Sequence, residues 1–139
     1  HPKNMISNDL SEVEKARLYK KINDNEKTME EINFEDFLQV HILTGTILEA
    51  TLNPKARKPS YMLKIDFGQF GIKTSSAQIT RNYQVEDLIG LQISAVQNFP
   101  VKRIAGVKSE VLILGAYSED KGVVLLTPTE SVEDGSLVG

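Results

Sequence analysis

The chain has 139 residues and no cysteine, which excludes a disulfide framework, a thiol nucleophile and a zinc ribbon. No apolar run is long enough to span a bilayer as a helix, and the start lacks the arrangement of a signal peptide. An intracellular, cytoplasmic protein with no membrane partner is the expectation. Histidine is nearly missing as well. His1 and His41 are the only two and form no His-x-x-x-His pair, so no metal site is expected. Neither a Gly-x-Gly-x-x-Gly nor a Gly-x-x-x-x-Gly-Lys phosphate loop is present, and no Gly-x-Ser-x-Gly elbow surrounds a serine. The acidic pairs Glu86-Asp87, Glu119-Asp120 and Glu133-Asp134 are adjacent in sequence. They read as turn and solvated positions rather than a spaced acid and base. The expectation is a protein that is not an enzyme, with no catalytic residue and no cofactor.

Bulk positive charge is absent too. The net charge of −3 and pI near 5.4 argue against nucleic-acid binding through overall basicity. The distribution is uneven, however. Between Leu48 and Lys108, nine cations stand against four anions, and the flanks carry the acid. An acidic protein can present a basic face, and local potential governs its encounter with a polyanion.

The length suits one domain with decoration, divided as an N-terminal helical extension over residues 1–32 and a domain over 33–139. In the extension, His1-Pro2 reads as a processing scar, and Ser11 with Glu14 resembles a capping box opening a thin helix from Glu12 to Lys21. Asn23-Asp24-Asn25 breaks it. Asn33 caps a second helical turn with Phe34, Phe37 and Leu38 on one face, large enough to plug a barrel end or meet a partner subunit.

From Val40 the period changes to two and runs to Ala50 with Gly45 in its middle, where a bend or bulge is expected. Asn53 to Pro59 is a basic turn. Strands follow over Tyr61–Phe67 and Ile72–Ser75, joined at Gly68-Gln69-Phe70-Gly71. Ser75-Ser76 is expected to open a helix-compatible turn with free backbone N–H groups, and Val85–Gly90 forms another turn. Strands return over Leu91–Phe99, Glu110–Tyr117 and Gly122–Leu126. Three strands, a helical connection and two more strands, the first long and bent, predict an all-β five-stranded Greek-key barrel of the OB type with short helices.

Between the fourth and fifth strands lies Asn98-Phe99-Pro100-Val101-Lys102-Arg103-Ile104-Ala105-Gly106-Val107-Lys108-Ser109-Glu110, with three cations in seven residues and Gly106 as pivot. Lys102, Arg103 and Lys108 suit phosphates, Arg103 bidentately. Lys73 and Arg81 flank the serine segment, whose N–H groups would take an anion. Asn98 offers a donor and an acceptor to a base or ribose, or simply forms a turn. Tyr61, Phe70, Tyr83 and Phe99 are candidates for base stacking or for the core.

The run Ser75-Ser76-Ala77-Gln78-Ile79-Thr80, followed by Asn98 through Gly115, closely resembles the CsaA-like tRNA-binding proteins. These are akin to the tRNA-binding domains appended to methionyl-tRNA synthetases. Ile32 to Phe37, Gly45-Thr46-Ile47 and Glu133 to Ser136 match as well, so the likeness covers about Met29 to Gly139. Val101 stands where that family often has a second proline. The resemblance implies an OB-fold homodimer without catalytic activity that binds tRNA through the segments matching Ser75–Arg81 and Asn98–Glu110. On that basis Ser76, Asn98, Lys102, Arg103, Ser109 and Glu110 join the candidate site with Lys73, Ser75, Arg81 and Lys108. It also implies an alternative role as a chaperone or export factor for unfolded polypeptides. The Phe34–Leu38 helix and the tail after Thr127 would be dimer elements.

Overall fold

The computed structural model describes residues 17–20 and 29–139. Arg17–Lys20 are helical; the rest of the expected N-terminal helix, its Asn23–Asn25 break and His1-Pro2 lie outside the described residues. No helix among the described residues is long and apolar enough to cross a membrane.

The architecture is built on β1 (Ile42–Leu52). Its first half pairs antiparallel with β4 (Gln92–Val96), from Ile42↔Val96 to Thr46↔Gln92. Its second half pairs with β2 (Tyr61–Asp66), from Thr46↔Asp66 to Leu52↔Tyr61. One strand thus serves two sides of a barrel, with β3 (Ile72–Ala77) outside β2 and β7 (Leu112–Ile113) outside β4, giving the order β3-β2-β1-β4-β7. This is the expected five-stranded antiparallel barrel. The bend comes from a bulge between Ile47 and Glu49, which raises local twist by inserting an unpaired residue. Gly45 plays another part: a Cβ there would lie 2.6 Å from two ring atoms of Phe67, so glycine makes room for the largest fully buried side chain.

Alternation along the strands sends Ile47, Leu63, Ile65, Phe67 and Ile93 inward. The end of the barrel is filled by Leu88, fully buried, from the short helix α2 (Val85–Leu88). The other short helix, α1 (Phe34–Leu38), buries nothing in this chain. Phe34 is 67% and Leu38 55% exposed, so of the two roles open to that face, plugging the barrel is not the one it plays.

The basic segment is itself a ribbon, β5 (Lys102–Ile104) with β6 (Val107–Ser109), turning at Ala105-Gly106. The expected single strand Glu110–Tyr117 is broken at Leu114 into β7 and β8 (Gly115–Ser118), the latter forming a separate ribbon with β9 (Gly122–Leu125). The chain closes with β10 (Leu137–Val138), which adds to β1 at Ile42 and Leu43. Ahead of it the tail is fastened by side chains. Gln92 exchanges hydrogen bonds with the Val132 backbone at 2.7 and 3.0 Å, and Asp134 Oδ1 accepts from Thr46 Oγ1 at 2.6 Å.

Candidate nucleic-acid interface

The β5–β6 ribbon lies across the seam where β3 and β7 approach. Its register places Arg103 directly opposite Lys108, a like-charge pair that disfavours the ribbon in isolation. The turn that joins them is strained as well: Ala105 has φ of 48° and Gly106 φ of 85°, the left-handed region that only glycine enters freely. Lys102, Arg103 and Lys108 are all exposed. No described carboxylate lies within ion-pair distance of them.

What holds the ribbon in place is a set of bonds to β3. Thr74 donates its N–H to Glu110 Oε1 at 2.9 Å, and Glu110 returns its own N–H to the Thr74 carbonyl at 2.9 Å. The Thr74 hydroxyl donates to the Lys108 carbonyl. Glu110 therefore anchors the ribbon through its carboxylate. Sequence reasoning misses Thr74, since a threonine inside a strand pattern carries no signal of a partner 34 to 36 residues away.

The serine segment requires a correction. Ser75 and Ser76 belong to β3 and pair with Leu63 and Met62, so no helix-compatible turn begins there. Both are fully buried. Ser75 Oγ donates to the Val111 carbonyl at 3.1 Å, across the seam between β3 and β7. The Ser76 N–H, expected to be free for an anion, donates to Ser109 Oγ at 3.2 Å. Ser109, the last residue of β6, is itself buried. Register with β2 overrides the local cap propensity of two serines, because every inward position of the ladder is already fixed by the core.

Three of the remaining candidates, Asn98, Lys73 and Arg81, are engaged elsewhere in the chain. Asn98 is engaged with backbone: its Oδ1 accepts the His41 N–H at 2.9 Å and its Nδ2 donates to the Gln39 carbonyl at 2.6 Å. It thus clamps the joint between α1 and β1. Lys73 Nζ donates to Gln97 Oε1 at 2.8 Å and lines a cleft away from the ribbon. Arg81 Nη2 donates to the carbonyls of Glu119 and Asp120, at 3.1 and 2.7 Å, and so staples the β8–β9 turn. Among the aromatics, Tyr61 is buried with its hydroxyl on the Tyr83 carbonyl, and the Tyr83 hydroxyl accepts the Leu125 N–H. Phe70 and Phe99 remain exposed. Phe99 stands beside Lys102 and Glu110 in a small cleft of about 200 Å³.

Wider clefts lie elsewhere among the described residues. One, of about 500 Å³, runs between the outer face of β1–β3 and the ribbon and mixes both signs of charge, with Glu49, Lys64, Thr74, Lys108 and Glu110 in its walls. Another, of about 420 Å³, is apolar and lies at the far end of β1, between α1, Phe70 and β10, with Phe37, Leu38, Leu137 and Val138 in its walls.

Residues 42–137 match the family described as "Putative tRNA binding domain". Among solved structures, the chain is similar to the chaperone CsaA of Bacillus anthracis, with 51% identity and a TM-score of 0.75, covering 79% of this chain and all of that one. It is also similar to a CsaA chaperone protein from Picrophilus torridus, with 48% identity and a TM-score of 0.74, covering 78% of this chain and all of that one. The methionine–tRNA ligase of Porphyromonas gingivalis is 38% identical over 109 residues, which is 78% of this chain but 16% of the ligase. The chain therefore spans only a small part of such enzymes. The match holds over most of this sequence and over the full length of both CsaA structures, so the chain belongs to the tRNA-binding domain family as a CsaA-like member.

Proposed function

We propose that the chain is a non-catalytic, cytoplasmic tRNA-binding protein that acts as a homodimer and meets RNA through the β5–β6 ribbon and the cleft beside it. The observation that carries this is the ribbon itself: exposed cations flanking a strained turn, with Arg103 opposite Lys108 and no described carboxylate within ion-pair distance of them. Folding has gathered charge that repels itself, and a polyanion turns that repulsion into attraction. The family match supports tRNA as that polyanion. The apolar α1 surface supports self-association.

Titration with bulk tRNA at two salt concentrations tests the reading. If roughly six phosphates are met across two subunits, log K falls with log salt at a slope of about −5; a flat response would count against RNA binding. Arg103→Ala should weaken binding by about 1–3 kcal/mol if the guanidinium makes a bidentate contact. Unchanged affinity would remove it from the interface.

A second reading, a chaperone or export factor for unfolded polypeptides, is favoured by the apolar cleft at Phe37, Leu38 and Leu137 and by the similarity to the CsaA chaperones. Peptide capture there would be driven by apolar burial and would resist salt. Competition between tRNA and an unfolded peptide separates the two, since independent binding means two sites.

A further inference from the structure

The outer face of β2 and β3 carries two hydroxyls that nothing in the chain satisfies. Register pairs Leu63 with Ser75 and Met62 with Ser76. Leu63 belongs to the core, so Met62 and Ser76 turn to the opposite face, and Ser60, two residues before Met62, turns the same way. Ser60 and Ser76 are both buried, and neither Oγ has a hydrogen-bond partner among the described residues. The β5–β6 ribbon covers this face. Val107 and Ser109 of β6 are buried while Lys108 between them is exposed, so β6 lays alternate side chains onto the sheet. Ser109 Oγ accepts the Ser76 N–H at 3.2 Å. At the tip, the Ala105 carbonyl accepts from Asn53 Nδ2 at 3.3 Å, and the Asn53 N–H donates to the Ser60 carbonyl at 3.0 Å. Both serines therefore sit beside residues that touch the ribbon.

A hydroxyl buried without a partner gives up its hydration and receives no bond in exchange. Lifting the ribbon returns water to both. The docked position carries two further costs, the φ of 48° at Ala105 and the placement of Arg103 opposite Lys108. Against them stand the bonds of Thr74 and Glu110 and the burial of Val107. Val107 is the one buried apolar residue of the ribbon, and it lies outside the main core cluster. A segment with so little apolar anchorage opens apart from the fold that carries it. We infer that the ribbon is a flap with a docked and a lifted position, that the unpartnered hydroxyls of Ser60 and Ser76 hold the two positions close in free energy, and that RNA, on the reading proposed above, clamps the flap down by bridging Arg103 and Lys108.

Hydrogen exchange of the full chain without RNA reads the flap directly. The amides of Thr74, Ser76 and Glu110 bond across the join between ribbon and barrel, and they should exchange faster than those of the β1–β4 ladder. Replacing both hydroxyls, Ser60→Ala with Ser76→Ala, should slow these three amides by roughly fivefold or more, because lifting no longer rehydrates a buried donor. Faster exchange in the double variant would mean that a bridging water already satisfies the serines, and would overturn the inference. Unchanged exchange at the three amides with a raised urea midpoint would overturn it equally, since the serines would then be buried wherever the ribbon lies. Saturating bulk tRNA should slow the same amides in the wild-type chain; no slowing by bound tRNA would overturn the clamping. If the chain binds no tRNA, the clamping falls with the RNA-binding reading, while exchange in the free chain still decides the flap.

Discussion

Asn98 shows how a single side chain can be read two ways. At the edge of a basic loop, an exposed carboxamide with a donor and an acceptor suits a base edge. Both ends are instead occupied by the backbone of Gln39 and His41, residues 59 and 57 positions away, and no local pattern signals such a partner. Asn98→Ala should therefore lower stability by about 1 kcal/mol, the usual worth of a hydrogen bond to the backbone, with a matching fall in urea midpoint. Affinity for tRNA measured well below the unfolding transition should stay within about twofold of wild type, because the amide is already engaged within the chain. Weaker binding at unchanged stability would restore Asn98 as a reader of RNA. Ser75 and Ser76 make the same point from inside the barrel. Two adjacent serines carry a strong local preference for capping, but Leu63↔Ser75 and Met62↔Ser76 belong to a ladder whose alternate positions are pinned by Leu63, Ile65 and Phe67.

Among the elements, those with a long period-two pattern are the most legible. β1, β2 and β4 lie within two or three residues of the segments read from alternation, and α2 falls inside the expected turn at Val85–Gly90. Alternation attaches the bend in β1 to Gly45, whereas the bulge sits beyond Ile47 and Gly45 answers to the Phe67 ring. Sequence shows that a glycine is needed, not which neighbour needs it. The β5–β6 ribbon is legible through its charge; its fastening is not. Thr74→Val tests that fastening: it removes the hydroxyl donor to Lys108 while keeping the N–H bond to Glu110. Weakening local closure by about 1 kcal/mol should speed hydrogen exchange of the 102–109 amides by roughly five- to tenfold, with little change in the core strands. Uniform acceleration across the barrel would instead mean that the ribbon opens only with the whole fold.

At the scale of the molecule, the apolar cleft and the cleft beside the ribbon lie at opposite ends of β1. The apolar one gathers Phe37, Leu38, Leu137 and Val138 around an otherwise uncovered α1. If this is where a second copy docks, Phe37→Asp should shift the chain from dimer to monomer in sedimentation, because burying an unpaired carboxylate in an apolar contact is strongly unfavourable. A mass unchanged from a dimeric wild type would place the subunit contact elsewhere. The same variant should leave the salt slope per subunit unaltered, since no residue of the ribbon is touched.

β1 has a further consequence as a spacer. Its eleven residues of strand extend roughly 35 Å, starting beside the clamp of Asn98 on the α1 joint and ending at Asn53. The bulge sets one fixed angle in that rod, and pairing with β4 along its first half and β2 along its second stiffens it. In a two-fold assembly built at the α1 end, the separation and tilt of the two basic surfaces would be dictated by this strand rather than by any loop. The assembly would then act as a caliper of set span, selecting among RNAs by the distance between their backbones.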